Sequence, residues 1–164
     1  MLNIHSKFSQ WLWSIIRHYN HEKYWYRRSI ITDPNNRTPY LMKLYYLYYI
    51  KKTDARHNSS FGTSIGSGAY FATPPRLLHG PNGIIVGHDV CVGTNCTIMQ
   101  QVTIEEGGVK IGDNVFIGAG AKILGNVTIG NNCLIGANAV VVEDMPEYTT
   151  CVLQKPRIIP RKIK

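Results

Sequence analysis

The run Ile111-Gly112-Asp113-Asn114-Val115-Phe116-Ile117-Gly118-Ala119-Gly120-Ala121-Lys122-Ile123-Leu124-Gly125-Asn126-Val127-Thr128-Ile129-Gly130 has a period of six. Isoleucine stands at 111, 117, 123 and 129, and glycine follows it at 112, 118 and 130. The series extends forward to Ile135 and Val141. One extra residue further back it resumes at Ile104, Ile98, Val92 and Val86. Two residues before each aliphatic sits a small or β-branched one: Val90, Cys96, Val102, Val109, Val115, Ala121, Val127, Cys133 and Ala139. Thr63/Ile65 and Ala69/Phe71 continue the same phase upstream.

A six-residue unit is one short strand and one tight corner, and three units close a triangular turn. Successive turns stack at about 4.8 Å through parallel hydrogen bonds. The aliphatic and the small residue two before it both point into the prism. The glycine after the aliphatic is expected to give the corner a left-handed backbone angle, and Asn95, Asn114, Asn126, Asn132 and Asn138 suit turns as well. An ordinary β-sandwich has a period of two and does not account for the six.

Outside the repeat the chain changes character. All 15 glycines of the 164 residues lie at or after Gly62, whereas eight of the ten tyrosines and all three tryptophans lie within the first 49 residues. Residues 1–58 carry 10 basic and 3 acidic side chains, net +7; residues 59–164 carry 8 and 7, net +1. Phe8, Leu12, Ile15, Ile16 and Tyr19 recur at helical spacing, and so do Leu41, Leu44, Tyr45, Tyr48 and Tyr49. Thr32-Asp33-Pro34-Asn35-Asn36 reads as a turn, with Pro39 in the first turn of the following helix and Lys51 and Lys52 in its last. The expected organisation is a helical cap or oligomerisation segment over 1–58, a β-helix over 59–152 and a basic tail over 153–164.

Several classes are excluded. No apolar run is long enough to cross a membrane, and the N-terminus lacks a signal-peptide layout. No C-x2-C pair marks a zinc site; Cys96 and Cys133 fall at inward positions and read as core, while nothing marks Cys91 or Cys151 as a nucleophile. Such cysteine usage suits a reducing cytoplasm. The basic N-terminal segment carries no nucleic-acid motif, and its aromatics follow helix spacing rather than a stacking platform. It suits a cap on the first coil, a contact between copies, or a membrane surface touched peripherally.

The repeat resembles the hexapeptide-repeat acyltransferases, over residues 60–159. The stretches that carry the resemblance are His79-Gly80-Pro81-Asn82-Gly83-Ile84-Ile85-Val86, Gln100-Gln101-Val102-Thr103-Ile104, Ile117 through Asn126, and Ile135-Gly136-Ala137-Asn138-Ala139-Val140-Val141. They are similar to the serine acetyltransferase branch, including the short sugar O-acetyltransferases of capsule and exopolysaccharide clusters. The resemblance implies a mainly β fold, a left-handed parallel β-helix behind an N-terminal α-helical segment. It also implies a homotrimer with acetyl-CoA, and no metal, in the groove between neighbouring coils.

It assigns roles as well. His79 breaks the repeat between Pro74-Pro75 and the Pro81-Asn82-Gly83 corner, and in this family the histidine before such a run is the general base. Imidazole is the side chain suited to take a hydroxyl proton near neutral pH and return it to a departing thiolate. Ala119 and Ala137 match positions whose small side chains let pantetheine lie along the coil. Lys155 and Arg157, with Arg161 and Lys162, match the basic end that meets the CoA phosphates. Gln100 and Gln101, or backbone amides at a corner, would hold the oxyanion.

Two departures bear on the acceptor. Serine acetyltransferases place aspartate before the catalytic histidine, where this chain has Leu78. They also carry a second histidine in a long loop, where this chain has the short Glu105-Glu106-Gly107-Gly108-Val109-Lys110. The expected acceptor is therefore a sugar hydroxyl in surface-polysaccharide biosynthesis, with serine as the alternative. Asp54, Asp89 or Glu106 would then orient His79. Two rivals are weighed against this reading. A metal-dependent hydratase of the γ-carbonic anhydrase kind needs three histidines, but the coil region holds only His79 and His88, the latter at a solvated position. A scaffold without chemistry would need no imidazole at all.

Overall fold

The computed structural model describes residues 18–154; the expected first helix around Phe8–Ile16 and the basic tail, with Lys155, Arg157, Arg161 and Lys162, lie outside them. Two helices, α1 (His21–Thr32) and α2 (Tyr40–His57), precede fifteen two-residue strands running from β1 (Ser60–Phe61) to β15 (Thr150–Cys151). A turn around Pro34-Asn35 joins the helices.

The strands form a parallel β-solenoid of about four turns. Three parallel sheets make its faces: β1 with β5 (Ile85–Val86), β8 (Thr103–Ile104), β11 (Lys122–Ile123) and β14 (Val140–Val141); β4 (Tyr70–Phe71) with β6 (Cys91–Val92), β9 (Lys110–Ile111) and β12 (Thr128–Ile129); and β7 (Thr97–Ile98) with β10 (Phe116–Ile117), β13 (Leu134–Ile135) and β15. Register is constant, with Ile104 beside Ile123, Ile111 beside Ile129 and Ile117 beside Ile135. These aliphatics and the small residues two before them are buried, Cys96 and Cys133 among them. The six-residue period thus translates into one inward pair per face per rung.

The left-handed corner residue differs from the expected one. Gly87, Gly93, Gly112, Gly118, Gly130 and Gly136 all have ordinary backbone angles; positive φ falls instead on Asn95, Gln101, Asn114, Asn126, Asn132 and Asn138 and on Gly120. Glycine follows the aliphatic for a steric reason. A Cβ on Gly118 would lie 2.6 Å from the Ala137 nitrogen and 2.8 Å from the Ile135 oxygen, both backbone atoms of the next rung. Asparagine tolerates the left-handed angle. Asn95, Asn114 and Asn132 also stack into a side-chain ladder at 3.4 and 3.3 Å.

The first rung departs from the expected phase. Phe61 and Phe71 pair with Val86 and Val92, so Phe61 holds the inward aliphatic place. Thr63 and Ile65 lie instead in an antiparallel hairpin, β2 (Thr63–Ser64) with β3 (Ser67–Gly68), inserted at the corner. α1 packs on this rung. Trp25 stands 5.3 Å from Phe61 and 4.9 Å from Phe71 edge to face, and Tyr24 stands 5.9 Å from Phe61. α2 is a helix as its spacing predicts, but the Leu41, Leu44, Tyr45 and Tyr48 stripe faces outward. Its inward side is formed by Ile50, Lys43, Thr53 and Asp54.

Candidate active site

The prism has three edges, and one of them gathers the predicted site. The chain passes from the β7 face to the β5 face through 77–84, 99–102, 118–121 and 136–139. His79, Gln100, Gln101, Ala119 and Ala137 therefore all lie along this edge. Cross-rung bonds hold it: Gln101 N–H donates to the Asn82 carbonyl (2.9 Å), Gly120 N–H to Gln100 (3.0 Å) and Asn138 N–H to Ala119 (2.8 Å). His79 sits at one end and Ala137 about three rungs, or ~14 Å, along it.

The His79 segment is braced from three directions. Asn82 Nδ2 donates to the His79 carbonyl (2.9 Å). Gly80 N–H donates to the Leu77 carbonyl (3.1 Å), closing a turn, and Gly83 N–H to the His57 carbonyl at the end of α2 (2.9 Å). Leu77 turns toward the core. Leu78 and His79 are exposed, so the imidazole faces the space beside the edge.

None of the three carboxylates considered as its orienter is bonded to it. Asp54 is buried in α2, accepting from the Tyr24 hydroxyl (2.7 Å). Asp89 lies on a different edge, where the Gly107 and Gly108 amides clamp it (2.9 and 2.8 Å) and hold its carboxyl below the usual range. Glu106, on that same edge, accepts from the His88 amide (3.4 Å). The phase of the repeat explains this placement: Asp89 and Glu106 follow β5 and β8, whereas His79 precedes β5.

The backbone of the candidate edge differs from its neighbour in one respect. On the edge between the β6 and β7 faces, the residues after Gly112 and Gly130 are polar and each caps the amide one rung below. Asp113 Oδ1 accepts from the Thr94 amide (2.6 Å), and Asn131 Oδ1 from the Asp113 amide (2.7 Å). The corresponding residues on the candidate edge are Gln100, Ala119 and Ala137. Alanine has nothing to cap with, and among the described residues the amides of Gln100, Ala119 and Ala137 donate to no acceptor. Gln100 adds a buried side-chain oxygen, Oε1, that accepts nothing. A column of unused donors beside an exposed imidazole can hold carbonyl groups of an extended ligand and place a developing oxyanion.

The family resemblance names each of these residues, but the uncapped column is not part of it. The signal was present as Asp113 and Asn131 at a phase where Ala119 and Ala137 stand on the next edge. The Asn82 and His57 braces had no such signal. Cys91 is exposed and Cys151 half-buried, on the β6 and β15 strands, away from this edge.

Known proteins match this region. The family model described as bacterial transferase hexapeptide (six repeats) matches residues 108–142, and that of the hexapeptide repeat of succinyl-transferase matches residues 83–123. Serine acetyltransferase 1, chloroplastic, of Arabidopsis thaliana is 44% identical over 111 residues, covering 63% of this chain and 35% of its own length. Serine acetyltransferase of Staphylococcus epidermidis is 44% identical over 98 residues, 56% of this chain and 46% of that protein. Among solved structures, Neisseria gonorrhoeae serine acetyltransferase in complex with serine superposes with a TM-score of 0.55 at 35% identity, covering 70% of this chain and 48% of that one. A serine acetyltransferase complex with CoA does so with a TM-score of 0.55 at 34% identity, covering 67% and 45%. The chain spans less than half the length of these relatives.

These matches overturn the sugar acceptor expected from Leu78 and from the histidine-free 105–110 stretch. The similar proteins are serine acetyltransferases. Leu78 and the histidine-free 105–110 stretch are absences, and an absence carries no feature that recognises a sugar ring.

Proposed function

We propose, for a chain that carries the hexapeptide repeats of an acyltransferase domain and is homologous to serine acetyltransferases, that it transfers acetyl from acetyl-CoA to the hydroxyl of serine. The uncapped amides of Gln100, Ala119 and Ala137 beside His79 carry this reading. Acetyl-CoA lies along that column, its amide carbonyls accepting from the Ala119 and Ala137 N–H groups and its thioester at the His79 end. Lys155 and Arg157, beyond the last described rung, meet its phosphates.

The His79 imidazole takes the serine hydroxyl proton as the oxygen attacks the thioester carbon. The oxyanion forms at the Gln100 end of the column, where a fixed N–H costs no reorganisation. Collapse breaks the C–S bond, and the imidazolium returns its proton to the thiolate. The products are O-acetylserine and CoA. Gln100 Oε1, buried and unpaired, suits the serine ammonium.

CoA-thiol release is expected with acetyl-CoA and serine together and with neither alone. Serine-independent release, or turnover no faster than with threonine or glycerol, would remove serine as the acceptor. A homotrimer fits this geometry, because an exposed edge gains its second wall only from a neighbouring copy. Peripheral contact with an anionic membrane is favoured by the outward Leu41, Leu44, Tyr45 and Tyr48 stripe with Lys51 and Lys52 beyond it. Co-sedimentation with phosphatidylglycerol vesicles but not with phosphatidylcholine ones would support it; sedimentation with neither removes it.

A further inference from the structure

A cavity of about 680 Å³ opens between α1 and the first rung, and it is separate from the His79 edge. Trp25, Tyr26, Tyr70 and Phe71 form much of its wall. It borders β4 (Tyr70–Phe71), on the β4-β6-β9-β12 face, whereas His79 stands where the other two faces meet.

Arg28 lines the same cavity and is only 4% exposed. Every acceptor it bonds is neutral. Nε donates to Thr63 Oγ1 (3.1 Å), and Nη2 donates to the Phe61 and Ala69 carbonyls (2.8 and 2.6 Å). Nη1 donates to nothing among the described residues. The guanidinium stands 4.8 Å from the Phe71 ring centre and 5.3 Å from that of Trp25. Burial lowers its pKa to about 10. A charge this deep is ordinarily paired, since leaving one without a counter-ion is costly.

We propose that this cavity binds a small aromatic monocarboxylic acid, with its carboxylate on Arg28 Nη1 and its ring among Trp25, Tyr26 and Phe71. Asp54 acts on Arg28 through space without a hydrogen bond to it, and the ligand carboxylate supplies the directly bonded counter-ion that Arg28 lacks among the described residues. Cation–π contact has already ordered the guanidinium against the rings, so little freedom remains to be lost on binding. Two exposed acids, Glu22 and Asp33, also line the cavity and disfavour a second negative charge on the ligand. His21 lines it too, and burial lowers its pKa.

Saturation-transfer NMR and calorimetry on the full chain would test this with indole-3-acetate and its neutral amide. The acid is expected to bind at least about tenfold more tightly than the amide, the difference made by one charge-assisted contact. Arg28→Met removes that preference. Because Arg28 also ties down the hairpin carbonyls, Ala72→Phe serves as a second variant that fills the cavity without touching the guanidinium. It is expected to abolish binding of both compounds. Equal binding of acid and amide, no binding of either at about 10 mM, or unchanged binding in Ala72→Phe would each overturn the proposal.

Discussion

Asp113 and Ala119 hold equivalent places in successive corners, each directly after a glycine, and their side chains treat the backbone below in opposite ways. Asp113 consumes the Thr94 amide, while Ala119 leaves the Gln100 amide unused. Ala119→Asp should therefore cap Gln100 N–H. The expected result is a kcat lowered at least about tenfold, because the oxyanion loses its Gln100 donor, and a KM for acetyl-CoA raised by the carboxylate placed in the column, with the melting temperature unchanged or higher; steady-state kinetics beside thermal unfolding check all three. An unchanged KM would mean that the column is not the CoA track. His79→Ala tests the other half of the site: turnover should fall by about 10²–10⁴-fold with the far-ultraviolet spectrum intact. Gly118→Ala is expected to cost about 1–3 kcal/mol in denaturant titration, because its methyl group meets backbone rather than a movable side chain. That last case shows what the sequence hid. A glycine after six of the inward aliphatics looks like a demand for a left-handed angle, yet the angle falls two residues on, at Asn95, Asn114, Gly120, Asn132 and Asn138, and the glycine makes room for the next rung.

At the scale of elements, α2 carries an ionisable group whose environment opposes its charge. Asp54 is 4% exposed, and burial, partly offset by the Tyr24 hydroxyl, raises its pKa from 3.8 to about 6. Between these values the folded chain holds a proton that the unfolded chain has released, so stability falls as pH rises through that window. The loss amounts to on the order of 2–3 kcal/mol above pH 6. Asp54→Asn keeps an acceptor for Tyr24 and removes the charge. Its melting temperature should exceed wild type at pH 7.5 and match it at pH 4; equal values at both would show that the carboxylate is not strained. The same helix shows why the N-terminal segment was less legible than the coil. Period six admits one packing, in which every aliphatic faces the axis. In α2 the apolar stripe at helical spacing faces outward, and polar groups lie on the buried side with partners in α1 and the turn after it: Lys43 Nζ donates to the Asn36 carbonyl (2.8 Å), and Asp54 accepts from Tyr24. Hydropathy spacing identifies the helix but not which side packs when the buried side is polar. The hairpin in the first rung was missed for a related reason, since Thr63 and Ile65 keep the phase in sequence while an inserted turn takes them off the face.

Across the whole molecule, the arrangement of edges decides how copies can share the chemistry. His79, Gln100, Ala119 and Ala137 come from one edge of one chain, so in the trimer we propose a neighbouring copy would supply a wall but neither the imidazole nor the amide column. His79 breaks the repeat, but its role, like those of Ala119 and Ala137, comes from the resemblance to the hexapeptide-repeat acyltransferases and not from the spacing. Their common edge follows from counting three faces per turn. Whether a site is built from one chain or two can be read by mixing inactive variants. His79→Ala and Ala119→Asp chains, co-refolded at equal ratio into the homotrimers we propose, place their defects on different chains. If each edge is self-contained, every edge in the mixture carries one defect, and turnover at low acetyl-CoA stays at the level of the separate variants. If a groove paired the imidazole of one copy with the amide column of the next, some grooves would be intact and activity would return to a substantial fraction of wild type. The first outcome is expected, with sedimentation velocity confirming that mixed trimers formed; recovery would place the base and the CoA track on neighbouring chains.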